Sequence, residues 1–197
     1  MKTLKINRFN LTIKILVLTV LLTSACAQSN KNANSSSNNS TAKIVSKPKI
    51  DIHSAVISGD LEAVKQHIKA GTDINQKEPM SGSTPLMSAA TFNKIEIAKY
   101  LINAQAKLAI KNNDGSTALH IAAFFGRVEI VQILIDAKAN KTIKNNFGAT
   151  PRETVLANFN EMKPIYEMLI SQLQPMGFTL DMIELQKARP VIAMMLQ

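Results

Sequence analysis

The sequence predicts an all-α solenoid of repeated helix-turn-helix units, and three observations carry this. Gly82-Ser83-Thr84-Pro85-Leu86-Met87-Ser88-Ala89-Ala90 returns as Gly115-Ser116-Thr117-Ala118-Leu119-His120-Ile121-Ala122-Ala123, with the threonines 33 positions apart. A worn copy, Gly148-Ala149-Thr150-Pro151-Arg152, follows after the same interval. Apolar residues at Ile97, Leu101 and Ile102, and again at Ile130, Leu134 and Ile135, stand at i, i+4 and i+5, one helical stripe per unit. Asp114-Gly115 and Phe147-Gly148 supply turn chemistry between units. Self-similarity at a fixed period marks a stacked array in which no unit buries its stripe alone.

Taken in chain order, the units run over about 48–80, 81–113, 114–146 and 147–175, with a degenerate terminal unit at 176–197, four to five in all. The first opens at Ile52-His53 and restarts at Gly59-Asp60-Leu61, with one extra residue in its loop. In the second and third, Thr84 and Thr117 are placed to cap a helix, and Pro85 suits the first helical position, where its missing N–H costs little. Ala89-Ala90 and Ala122-Ala123 are small where paired helices approach closely. The fourth carries Arg152 in place of a core leucine and about three extra residues before Pro164. The terminal segment keeps the nine-residue step that separates Thr117 from Gly126. Pro164 and Pro190 are each expected in the first turn of a helix.

Residues 48–197 resemble the ankyrin repeat, most clearly from Asp114-Gly115-Ser116-Thr117-Ala118-Leu119-His120 through Gly126-Arg127-Val128-Glu129-Ile130-Val131. The resemblance implies hairpin-like loops, a concave groove and protein binding without catalysis or cofactor. It also implies that His120, and His53 in register, hydrogen-bond a neighbouring loop. His67 is expected to be solvated on a second-helix surface. The family's variable contact positions fall on Met80, Ser81, Ser83, Thr91 and Phe92, then on Asn113, Asp114, Ser116, Phe124 and Phe125. In the fourth unit they fall on Asn146, Phe147, Ala149, Ala157 and Asn158. Phe92 and Phe125 are equivalent and 33 apart, so they are expected to line up along the groove as an aromatic docking row, unless they pack inward.

The first 25 residues read as an export signal. Lys2, Lys5, Arg8 and Lys14 precede the short apolar core Ile15 to Leu22, and small residues follow. Ala25-Cys26-Ala27 suits ordinary cleavage before Gln28 and a soluble periplasmic product. Leu22-Thr23-Ser24-Ala25-Cys26 resembles an irregular lipobox of bacterial lipoproteins, which implies lipidation of Cys26 and a periplasmic-facing outer-membrane anchor. The single cysteine of the chain standing at the end of the apolar core favours lipidation. Residues 26–47, rich in serine and asparagine, read as a disordered tether between that anchor and the folded units.

Four of the 23 basic residues and none of the 14 acidic ones lie in residues 1–25, so the remainder carries only +5. That excess is too small and too spread to indicate nucleic acid. Lys138, Lys141 and Lys144 form a small basic cluster that reads as surface solubility. Phosphate-loop, zinc-protease and nucleophile-elbow motifs are absent, and Glu96 and Glu129 read as solvated. The function expected from sequence is therefore a monomeric, non-enzymatic module binding one envelope or periplasmic protein. Inhibition of a periplasm-acting toxin is one version of it. A structural spacer and an ankyrin-bearing effector are the alternatives.

Overall fold

Asp51, Thr84, Thr117 and Thr150 open the first helix of four successive units. The Asp51 carboxylate accepts from the N–H groups of His53 and Ser54 at 2.9 and 3.1 Å. Thr84 and Thr150 accept from the third helical N–H, and Pro85 and Pro151 sit in the first turn. These contacts satisfy donors that the start of a helix leaves free.

The computed structural model describes residues 48–197. The helices are α1 (Ile52–Ser58), α2 (Leu61–Lys69), α3 (Pro85–Thr91), α4 (Ile95–Asn103), α5 (Ala118–Phe124), α6 (Val128–Asp136), α7 (Pro151–Leu156), α8 (Phe159–Leu173) and α9 (Met182–Met195). A 3-10 turn, Gln174–Met176, follows α8. No strand occurs among the described residues, and none of their helices is long and apolar enough to cross a membrane. The expected signal, the Cys26 anchor and the whole of the expected tether lie outside the described residues.

The short helices α1, α3, α5 and α7 stack side by side as one layer. Helices α2, α4, α6 and α9 stack as a second. The seam between the layers holds Leu86, Ala89, Ala90, Leu101, Leu119, Ala122, Ala123, Ile130 and Leu134, all buried. Each fully buried leucine or isoleucine stabilises the fold by about 1.5–3 kcal/mol relative to exposure. The paired alanines let the helices of one unit come close, as expected.

Within each of the first three units the helices are joined by a residue in the left-handed conformation: Gly59 (φ 82°), Asn93 (φ 53°) and Gly126 (φ 69°). Glycine and asparagine tolerate that region better than other residues. Thirty-three positions after Gly126 stands Phe159. There the turn is not made: Ala157 is extended (φ −57°, ψ 151°), and Asn158 caps α8 instead.

This break corrects the expected division of the C-terminal part. The segment 176–197 is not a fifth unit. Helix α9 packs on α7 and α6, in the relation that α6 has to α5 and α4, so it is the second helix of the fourth unit. Residues 157–181 are an insertion between α7 and α9. Arg152, in the expected leucine position, donates from Nε to the carbonyl of Ala193 at 3.1 Å and ties α7 to α9.

Two further expectations fail. Pro164 and Pro190 lie inside α8 and α9 rather than in a first turn. Each removes one ladder donor, so the carbonyls of Asn160 and Gln186 lose their usual helical partners. His67 is not solvated. It is 0% exposed, with Nδ1 3.1 Å from the Thr72 hydroxyl and Nε2 2.8 Å from the Ile50 carbonyl.

Candidate docking surface

The loops between units are built alike. The N–H groups of Glu78, Asn112 and Asn145 donate to the carbonyls of Ser83, Ser116 and Ala149 at 3.0, 2.9 and 3.0 Å. The side chains of the same three residues then collect the N–H groups of their own loop. Asn112 accepts from Asp114 and Ser116 at 3.0 and 2.8 Å, and Asn145 from Phe147 and Ala149 at 3.0 and 3.1 Å. Glu78 accepts from Met80, Ser81 and Ser83 at 2.7, 2.6 and 3.3 Å. Although burial opposes it, the Ser81 hydroxyl and these N–H groups hold the Glu78 carboxyl below its ordinary value. The first of the three loops is one residue longer than the others, and a carboxylate spans the wider turn.

Successive loops are also bonded to one another. Asn113 donates from its backbone to Ser81 and from its side chain to Met80, at 2.9 and 3.0 Å. Asn146 repeats this one unit later, to Asp114 from its backbone and to Asn113 from its side chain, both at 2.9 Å. The tips thus form a pre-organised strip, which lowers the ordering cost of binding. At its two ends stand the most exposed large apolar side chains of the described chain, Met80 at 79% and Phe147 at 74%. Ser81, Asn113, Asp114 and Asn146 are exposed between them.

Other expected contact residues have structural duties. Ser116 is buried inside its loop, and its hydroxyl is 3.5 Å from the Asn145 amide. Ser83 is half-buried beside Ser81. Ala149 is half-buried, and its carbonyl is 3.1 Å from His120 Nε2. His53 Nε2 lies 3.2 Å from the Gln76 carbonyl. Both histidines therefore bond the neighbouring loop, as the resemblance implies, and burial pushes both imidazoles below the ordinary histidine value.

The aromatic row does not stand open. Phe125 is only 6% exposed, so its expected place in a free groove is corrected. Phe178, from the insertion and 2% exposed, packs edge-on against both Phe92 and Phe125, with ring centres 6.0 and 5.2 Å away. Phe124 meets Phe125 edge-on at 5.0 Å and lies tilted over Tyr166 of α8 at 4.7 Å. Thr91 bonds back into α3, and its carbonyl accepts from Arg127 at 3.0 Å. Ala157 and Asn158, exposed, begin the insertion, and Ala157 accepts from Arg189.

Two arginines hold the insertion down. Arg127 bridges the carbonyls of Thr91 and Thr179 and lies over the Phe178 ring at 5.5 Å. Burial lowers its pKa to about 10. Arg189 is buried, donates to the Tyr166 hydroxyl at 2.9 Å, and Tyr166 in turn donates to the Phe124 carbonyl at 3.0 Å. Sequence reasoning missed Tyr166, Phe178, Arg127 and Arg189. The bonds from Arg189 to Tyr166, Tyr166 to Phe124 and Arg127 to Thr179 span 23, 42 and 52 positions, too far for any local pattern to mark them.

Stacked helix pairs joined by bonded loops define the class: the fold is an ankyrin-repeat solenoid. Residues 52–145 match the family model for ankyrin repeats, three copies. A 63-residue stretch is 44% identical to protein phosphatase 1 regulatory subunit 27 of Homo sapiens, and equally to that of Mus musculus. The match spans 32% of this chain and 40% of each relative's length. The repeats mark the chain as a protein-interaction module.

Proposed function

We propose that this protein is a non-enzymatic binding module that docks one protein partner on its loop tips, tethered in a bacterial envelope through Cys26. The observation that carries the docking half is the exposure of Met80 and Phe147 on a strip whose backbone is already bonded loop to loop. The aromatic row from Phe92 to Phe125 is a poorer site, because Phe178 occupies it. The tethering half is supported by sequence alone: basic residues, a short apolar core, then the single cysteine.

The relatives are named as regulatory subunits of a phosphatase. That supports a partner that is itself an enzyme, whose activity changes on binding; inhibition of an incoming toxin is one form this takes. Photocrosslinking from the full-length chain tests the surface. A crosslinking residue at position 147 is expected to capture a partner that one at position 92 does not. Capture from 92 alone returns the site to the aromatic row. Cys26→Ala is expected to move the protein from the membrane to the soluble fraction, and retention in the membrane overturns the lipid anchor.

A further inference from the structure

Lys77, Lys111 and Lys144 each stand one residue before the side chain that closes a loop, and all three are exposed. Their register is fixed by the structure, because Glu78, Asn112 and Asn145 make the same backbone bond. Lys111 Nζ reaches the backbone carbonyl of Lys144 at 2.9 Å, so neighbouring members of the row lie alongside one another. None of the three forms an ion pair among the described residues. The nearby carboxylates have other work: Glu78 accepts from its own loop, and Glu153 accepts from the Thr150 N–H at 2.7 Å. Asp114 lies on the parallel row of tips, with Met80 and Phe147.

The spacing of this row selects a ligand. Each lysine belongs to one helix of the α3, α5, α7 layer, and packed helices lie about 8–10 Å apart. An extended chain in the polyproline-II conformation advances about 3.1 Å per residue and returns every third side chain to the same face, so about three residues span one step. We propose that the lysine row binds an extended acidic segment of a partner protein, with Asp or Glu at every third position over seven residues. An apolar residue near each end of that segment would meet Met80 and Phe147. This rests on the loop-tip docking proposed above and names the chemistry of its partner. A nucleic-acid strand fits less well. Its phosphates recur more closely than the lysines, and among the described residues Phe147 is the one exposed aromatic ring near the row.

Fluorescence anisotropy on the full-length chain tests this with three labelled peptides of equal composition. Their three glutamates are placed at every second, every third or every fourth residue. The every-third peptide is expected to bind about fivefold tighter than either other, a preference of the size that a few exposed ion pairs supply. Lys111→Gln is expected to remove most of that preference, and the triple variant Lys77→Gln, Lys111→Gln, Lys144→Gln all of it, with thermal unfolding unchanged. Equal affinity for the three spacings, or tighter binding of a single-stranded oligonucleotide of equal charge, overturns the proposal. If spacing has no effect while crosslinking from position 147 persists, loop-tip docking stands and the acidic register falls. If crosslinking is lost while the every-third peptide still binds, the register stands and the partner docks elsewhere.

Discussion

Between Ile52 and Asp136 the two helices of each unit meet through a tight turn, whereas between Pro151 and Met195 the equivalent pair is parted by residues 157–181. Both regions bury the same kind of seam, alanine and branched aliphatics between two helical layers. They differ in what covers the ends of the first-layer helices. In the regular region those ends carry Phe92 and Phe125. The interrupted unit supplies the cover, with Phe178 between the two rings and Arg127 and Arg189 fastening the insertion by backbone carbonyls. A period kept three times makes a surface; a period broken once fills part of it.

The largest expected effect tests whether the cover is a separable part. Phe178→Ala removes a nearly fully buried ring, a change that costs about 3–5 kcal/mol in well-packed sites. If the insertion is an appendage to the array, hydrogen exchange speeds up over 159–181 while the amides of α5 and α6 keep their protection. Exchange that rises equally in α3 to α6 would mean that the two regions unfold as one, and the contrast between them would be structural only.

How far each region could be read in advance follows the same division. Thr84-Pro85, Thr117 and Thr150-Pro151, the alanine pairs and the 33-residue step are local signals, and each names its own helix. The loop tips followed from the same register. Phe159, standing where Gly59, Asn93 and Gly126 turn left-handed, and the extra residues before Pro164 are the local signs that the fourth unit opens out. The pairing of Phe178 with Phe92 and Phe125 leaves no such sign, because it joins residues 86 and 53 positions apart with no periodicity between them. The nine-residue step near the end matched the repeat by coincidence of spacing. His67 failed for a related reason: its partner, the Ile50 carbonyl, lies before the first helix.

A smaller effect is expected within the regular region. His120→Leu keeps volume but leaves the Thr117 N–H unpaired and strips the Ala149 carbonyl of one of its two partners, at a cost of about 1–3 kcal/mol in a denaturant melt. A loss below that range would show that the loop holds its place through Asn145 alone.

Acid separates the two regions. Burial depresses the His53 and His120 values below 6.5, so the folded state holds fewer protons than the unfolded chain. Their contribution is complete above that pH and is lost as pH falls through the folded values. In the fourth unit the position of His120 is taken by Glu153. Its carboxyl is held below 4.5 by the Thr150 N–H and hydroxyl, so that contribution persists to lower pH. Hydrogen exchange at successively lower pH is expected to loosen α1 and α5 before α7. Simultaneous loosening, or α7 first, would break the contrast.

The smallest effect concerns charge across units. Lys99 Nζ lies 2.9 Å from Glu96 on its own helix and 3.1 Å from Glu129 on the next, whereas Lys187 of α9 reaches only Glu184, within its own helix. All of these side chains are well exposed, and exposed pairs contribute little because water and salt screen them. Lys99→Ala should therefore shift the denaturation midpoint less than His120→Leu, and the shift should vanish at high salt. Lys187→Ala should act on α9 alone. A Lys99→Ala loss that matches His120→Leu and survives salt would mean that the regular units are coupled through their charged outer face as well as through the apolar seam.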